Sequence, residues 1–113
     1  MNKVEIIVLP SFTKGFKRLK KKYHSILNDL KELGKEIESN PFIGTDLGGG
    51  LRKIRMSVSS KGKGKSGGAR IITFNVIVSV DKTEVNLLYI YDKSDMESIS
   101  KEELKKLLKE NGL

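Results

Sequence analysis

Two β-branched runs joined by a short turn most constrain what this chain can become. Residues 69–80 read ARIITFNVIVSV, Asp81-Lys82-Thr83 turns the chain back, and residues 84–91 return as EVNLLYIY. Runs of this composition on either side of a turn predict a long antiparallel hairpin. A hairpin alone is marginal in water, so the fold follows from what the remaining residues can lay against it.

The stretch before the hairpin supplies another strand. Across residues 51–58, Ile54, Met56 and Val58 fall on one parity and Lys53, Arg55 and Ser57 on the other, the alternation of a half-buried strand. Lys53 and Arg55 therefore point to one face together. Between this strand and the hairpin, residues 59–68 hold four glycines and Lys61, Lys63 and Lys65 at every second position. So polar and flexible a segment predicts a surface loop whose lysines are mobile in the free protein.

Residues 3–9 form a short β-branched run closed by Pro10, which predicts a first strand. Ser11 is placed to cap the helix that follows, where Phe12, Phe16 and Leu19 share a face and Lys14, Lys17, Arg18, Lys20, Lys21 and Lys22 fill most of the remainder. After Tyr23-His24 a second helix carries Ile26, Leu30, Leu33 and Ile37 and stops at Asn40-Pro41, giving an antiparallel helical hairpin. Residues 42–50 read as a glycine-rich connection. Ser100 with Glu103 makes a capping box, Leu104, Leu107 and Leu108 an apolar stripe, and Asn111-Gly112 a helix end. The expected order is β-α-α-β-β-β-α in one small α+β domain over residues 1–113. Its antiparallel sheet takes the first strand at one edge and the helical hairpin on one face, leaving Lys53 and Arg55 on the other.

Charge narrows the function. No Asp or Glu occurs between Asp46 and Asp81, while Arg52, Lys53, Arg55, Lys61, Lys63, Lys65 and Arg70 are all positive. The chain's net charge of +8 is concentrated there, because the flanking segments nearly cancel. A patch so unbalanced works against compaction by self-repulsion and calls for a polyanionic partner; a cationic sheet face rimmed by lysines suits a sugar-phosphate backbone.

Several chemistries are set aside on composition. His24 is the sole histidine, which excludes a two-histidine ribonuclease. Gly64-Lys65-Ser66 resembles the end of a phosphate-binding loop, but Ser59 stands where that loop needs glycine and a strand follows instead of a helix. With no cysteine and no His/Asp/Glu cluster at ligand spacing, neither a metal nor a small-molecule cofactor is expected. The apolar run at residues 4–9 is too short for an export signal or a membrane span, so no membrane role and a cytoplasmic location are expected.

Three segments in order, GGLRKIR, KGKGKSGGARIITF and LLYIYDKSDMESISKEEL, together resemble the RelE/ParE superfamily of toxins from type II toxin-antitoxin modules, and specifically its HigB-like branch. The resemblance covers essentially the whole chain. It implies a toxin that cuts mRNA in the ribosomal A site without a metal and is held inactive by a cognate antitoxin. It places basic catalytic residues at Lys53, Arg55, Arg70 and Lys93, with Arg52, Lys61, Lys63, Lys65 and Tyr91 as RNA contacts. Two features depart from RelE itself: Ser94 stands where it has an arginine, and no C-terminal tyrosine has a clear match.

RNA cleavage of this kind needs a deprotonated 2′-hydroxyl, a stabilised pentacoordinate phosphate and a protonated 5′-leaving oxygen. Clustered cations supply the second need directly, which suggests Arg55 and Arg70 on the phosphate. Lys53 is then the base or its stabiliser, and Lys93 lies near the leaving group. Tyr89 and Tyr91 suit core packing as well as base stacking. Two non-catalytic readings of the same scaffold stay open, a ParE-like toxin acting on gyrase and an RNA- or ribosome-binding module.

Overall fold

The computed structural model describes residues 3–113. Its centre is a five-stranded sheet of order β1-β5-β4-β3-β2, built from β1 (Lys3–Val8), β2 (Thr45–Gly48), β3 (Leu51–Met56), β4 (Ala69–Ser79) and β5 (Lys82–Asp92). Four helices accompany it: α1 (Pro10–Lys22), α2 (Ile26–Ser39), the single turn α3 (Gly64–Gly67) and α4 (Lys101–Glu110).

The α+β class is as expected, but the arrangement differs from the sequence-based one in four respects. The sheet is mixed, because β1 pairs with β5 in parallel, Lys3 opposite Lys82 and Val8 opposite Leu87. Alternation reports which way side chains face and not which way a strand runs, so direction was hidden. The 42–50 connection contains a strand, β2, whose four residues are too few to show a period; it pairs with β3 through an irregularity between Asp46 and Gly48.

Ser11, expected to cap α1, does not. Leu9 is the residue before the helix and Pro10 takes its first position, where a missing N–H costs nothing. The Ser11 hydroxyl instead donates to the Leu88 carbonyl of β5 and accepts from Asn111 Nδ2 at 2.9 Å, joining the start of α1 to the end of α4. At α4 the sequence signal holds, since the Ser100 hydroxyl accepts the Glu103 N–H at 3.2 Å.

The fourth difference matters most for function: the sheet is covered on both faces. Phe12 and Leu19 of α1 with Ile26, Leu33 and Ile37 of α2 pack on Ile54, Met56, Ile71, Val85 and Ile90, so both helices lie on one face, α1 over β5 and α2 over β1 and β3. On the other face Leu104 of α4 packs with Ile72, Leu88 and Tyr91.

Gly15 lets α1 sit this close. A Cβ there would lie 2.8 Å from the Ile90 carbonyl oxygen, a backbone atom in the centre of the sheet. Gly15→Ala should therefore destabilise the protein by about 1–3 kcal/mol despite alanine's better helix propensity, read as a lower urea midpoint at unchanged slope. A midpoint equal to or above that of the parent would show that α1 lifts off the sheet without cost.

Candidate functional site

The β3–β4–β5 register brings the basic residues into rows. Arg55 stands opposite Arg70, and Arg70 opposite Tyr91; in the adjacent row of the same face Lys53 stands opposite Ile72, and Ile72 opposite Tyr89. Side chains directly across strands share a face, so Lys53, Arg55 and Arg70 gather on the face away from α1 and α2. Ile54 and Met56, on the other parity, are buried under the helices, as the alternation predicted. Like charges opposite each other destabilise a sheet, and the Arg55–Arg70 pair is a cost that stability alone does not explain.

Arg70 relieves part of that cost. It is only 7% exposed, and its guanidinium donates to the carbonyls of Lys65 (3.0 Å), Ser66 (3.0 Å) and Ala69 (3.3 Å). It thus binds the carbonyl-rich end of the segment just before β4, a structural role added to any catalytic one.

That segment, residues 59–68, was expected to be a free, mobile loop. It is instead a short 3₁₀ turn (Ser59–Lys61) followed by α3, held at several points. Asp29 of α2 accepts from the Ser59 hydroxyl at 2.7 Å and from its N–H at 3.1 Å, and the Ser25 hydroxyl accepts from the Ser60 N–H at 2.8 Å. Lys93 N–H donates to the Gly68 carbonyl at 3.1 Å. A Cβ on Gly68 would fall 2.1 Å from the Met56 carbonyl oxygen, so the segment joins β4 by passing directly against β3.

The strongest hold is Asp92, a carboxylate 2% exposed at the end of β5. It accepts from Tyr23 Oη at 2.5 Å, from Lys61 Nζ and from the Ser94 N–H at 2.9 Å, with Lys22 Nζ 3.6 Å away. Burial pushes its pKa upward, but hydrogen bonds from Lys61, Tyr23 and the Ser94 backbone and the charge of Lys61 outweigh burial and hold the carboxyl well below the usual carboxylate range.

Lys53, Arg55 and Lys65 line one open groove of about 880 Å³ along the edge of β3, facing Glu32, Lys35 and Glu36 of α2. Lys65 and Arg55 are exposed and Lys53 is half-buried. Beyond the Lys53–Thr45 pair β2 no longer accompanies β3, which is what opens this groove. The two glutamates were not anticipated. Their signal was present as an i, i+4 pair on the polar side of α2, but such pairs are common on solvated helices, and only packing brings this one to the cations.

Three sequence-assigned residues, Arg52, Lys61 and Tyr91, are placed differently from expectation. Arg52 is not free to contact phosphate: its guanidinium donates to the Ile43 and Gly44 carbonyls at 3.1 and 2.9 Å and lies 3.9 Å from Asp46. Lys61 is not a free phosphate contact, since its side chain is 7% exposed and paired with Asp92 and Ser94. Tyr91 is 5% exposed and packs in the α4 cluster, so it does not present a stacking surface; burial pushes its pKa up, against the opposing charge of Arg70. Lys93 lies just past β5, half-buried, donating to the Glu97 carbonyl at 3.1 Å. Lys63 stays exposed, and His24 is exposed at the α1–α2 turn.

The site so assembled offers three clustered cations, Lys53, Arg55 and Lys65, with Arg70 buried nearby, and across the groove two carboxylates and one further cation, Lys35. Such a surface can bind and polarise a phosphodiester, and Lys53 or a glutamate is available to move a proton. Compared with known families, residues 12–112 match the model of the RelE toxin of the RelE / RelB toxin-antitoxin system.

Proposed function

Because the chain belongs to the RelE toxin family, and is thus a toxin of a toxin-antitoxin system, we propose that it is a metal-independent endoribonuclease of the HigB-like branch that cuts mRNA on the ribosome. The observation that carries this reading is the gathering of Lys53, Arg55 and Lys65 at one groove, with Arg70 buried beside Arg55 on the neighbouring strand. Arg55 and Arg70 stabilise the phosphorane and Lys53 acts as base or holds the base; Lys93 is assigned to the leaving-oxygen side. The Glu32 and Glu36 carboxylates are the alternative proton acceptors in the same groove.

The toxin acts in the cytoplasm, where ribosomes are, and its antitoxin partner blocks it. Mapping mRNA ends after induced expression, alongside a plasmid supercoiling assay, tests the reading: in-frame cuts within translated message support it, whereas growth arrest with altered supercoiling and intact message supports action on gyrase. Arrest with neither signal would leave ribosome binding without chemistry.

RNA binding should be strongly salt-dependent, since phosphate contacts dominate a surface of this kind. Replacing both Lys63 and Lys65 by alanine should reduce the log-log salt slope on single-stranded RNA by about 1.4, about 0.7 for each phosphate released. Lys61, paired with Asp92, supplies no further phosphate contact. A slope unchanged in the double variant would place the RNA away from α3.

A further inference from the structure

Asp92 and Arg70 lie on opposite faces of the sheet in adjacent rows. Met56, Ala69 and Asp92 form the row on the helical side, and Arg55, Arg70 and Tyr91 the next row on the opposite face. The 59–68 segment crosses between them. At its start Lys61 reaches back to Asp92, where the Tyr23 hydroxyl closes the other carboxylate oxygen and both Lys61 and Lys22 lie over the Tyr23 ring, 5.7 and 5.4 Å from its centroid. At its end the Lys65 and Ser66 carbonyls receive the Arg70 guanidinium.

We propose that Asp92 is a positioning residue of the cleavage site: by clamping Lys61 with Tyr23 on the helical side of the sheet, it sets the segment that orients Arg70 and presents Lys65 at the groove. The inference rests on the cleavage reading above. It assigns a function to a buried ion pair that the groove itself does not contain.

The geometry favours this over a purely stabilising pair. Asp92 makes three hydrogen bonds and each draws on a different element: Tyr23 at the end of α1, Lys61 in the 59–68 segment and Ser94 just beyond β5. The second clasp on the segment, Ser59 and Ser60 on Asp29 and Ser25, holds its start only. Only three residues separate Lys61 from Lys65, so a displacement at Lys61 is carried directly to the carbonyls under Arg70. An ångström of misplacement in a transition-state contact is enough to slow chemistry by orders of magnitude.

The test uses full-length Lys61→Met, Asp92→Asn, the double variant and Tyr23→Phe. Each is assayed by single-turnover cleavage of mRNA on programmed ribosomes and by amide hydrogen exchange. The single Lys61 and Asp92 variants should cleave about 10- to 100-fold more slowly at saturating toxin, with the half-saturating concentration within about twofold of the parent. The double variant should be no slower than the worse single, because both cut one link. Amides of residues 62–68 should exchange faster while those of β4 and β5 stay protected.

Tyr23→Phe removes one hydrogen bond without uncovering a charge and should shift both readouts the same way by a smaller factor, which keeps the test decisive should Asp92→Asn fail to fold. Unchanged rates, losses that multiply in the double variant, or unchanged exchange at residues 62–68 would each overturn the proposal. A parent protein that leaves ribosome-bound mRNA intact would overturn the cleavage reading instead, and the exchange data would still decide whether the clamp governs the segment.

Discussion

Arg70→Ala should cost this toxin about 10²- to 10³-fold in cleavage rate, the effect of losing one preorganised cation beside a developing phosphorane. It should also lower stability by about 2–4 kcal/mol, because the guanidinium that reaches the Lys65, Ser66 and Ala69 carbonyls is buried and its removal strands them. Sequence alone suggests a variant that folds almost unchanged; the burial of Arg70 revises that. Arg55→Ala supplies the clean comparison. Arg55 is exposed in the groove and makes no protein hydrogen bond among the described residues, so its loss should leave the melting temperature nearly unchanged while reducing the rate by a similar factor. Single-turnover cleavage and thermal melting on both variants separate the two roles. If Arg55→Ala cleaves at the parental rate and Arg70→Ala loses activity only in step with folding, neither arginine is catalytic, Arg70 is structural, and the catalytic assignment moves to Lys53 and Lys93.

The second large effect falls on stability. Asp92→Ala leaves Lys61 buried without a counter-charge, and breaking a buried pair in this way costs about 3–5 kcal/mol at neutral pH. The pH dependence has a definite sign. The Asp92 carboxyl is held below its ordinary range in the folded protein, so the unfolded chain takes up this proton first as pH falls. The contribution is therefore fully present above the unfolded carboxylate pKa of about 4 and is lost progressively on acidification below it. Urea midpoints should differ widely between parent and Asp92→Ala from pH 7 down to about pH 4 and draw together only as the pH falls further. Parallel curves on that further acidification would mean that the pair contributes nothing titratable to folding.

Much of the architecture could be read from residue order. The 69–91 hairpin, the two helices after Pro10, the Ser100 cap and the orientation of Lys53 and Arg55 away from the core all follow from period, punctuation and local hydrogen-bonding chemistry, which act within a few residues. The basic character of the 52–70 stretch, and through it the phosphate-binding reading, was legible for the same reason: charge is a property of composition and needs no fold to be seen.

What tertiary structure alone decided is the use of each cation. Arg52, Lys61 and Arg70 sit in the same acid-free stretch as Lys53, Arg55 and Lys65, yet the first three are spent on carbonyls and a buried carboxylate while the others line the groove. Their partners lie outside the stretch or depend on its folding: Asp92 is thirty-one positions from Lys61, and the carbonyls that Arg70 binds turn toward it only once α3 forms. The Glu32–Glu36 pair and the cover of α4 over Tyr91 are decided in the same way, by which faces meet when the sheet closes. Residue order determined that this chain would carry a concentrated positive charge on a small α+β scaffold. Long-range packing decided which of those charges are buried among carbonyls and a carboxylate and which are left open at the groove, because burial is a property of neighbours that sequence proximity does not set.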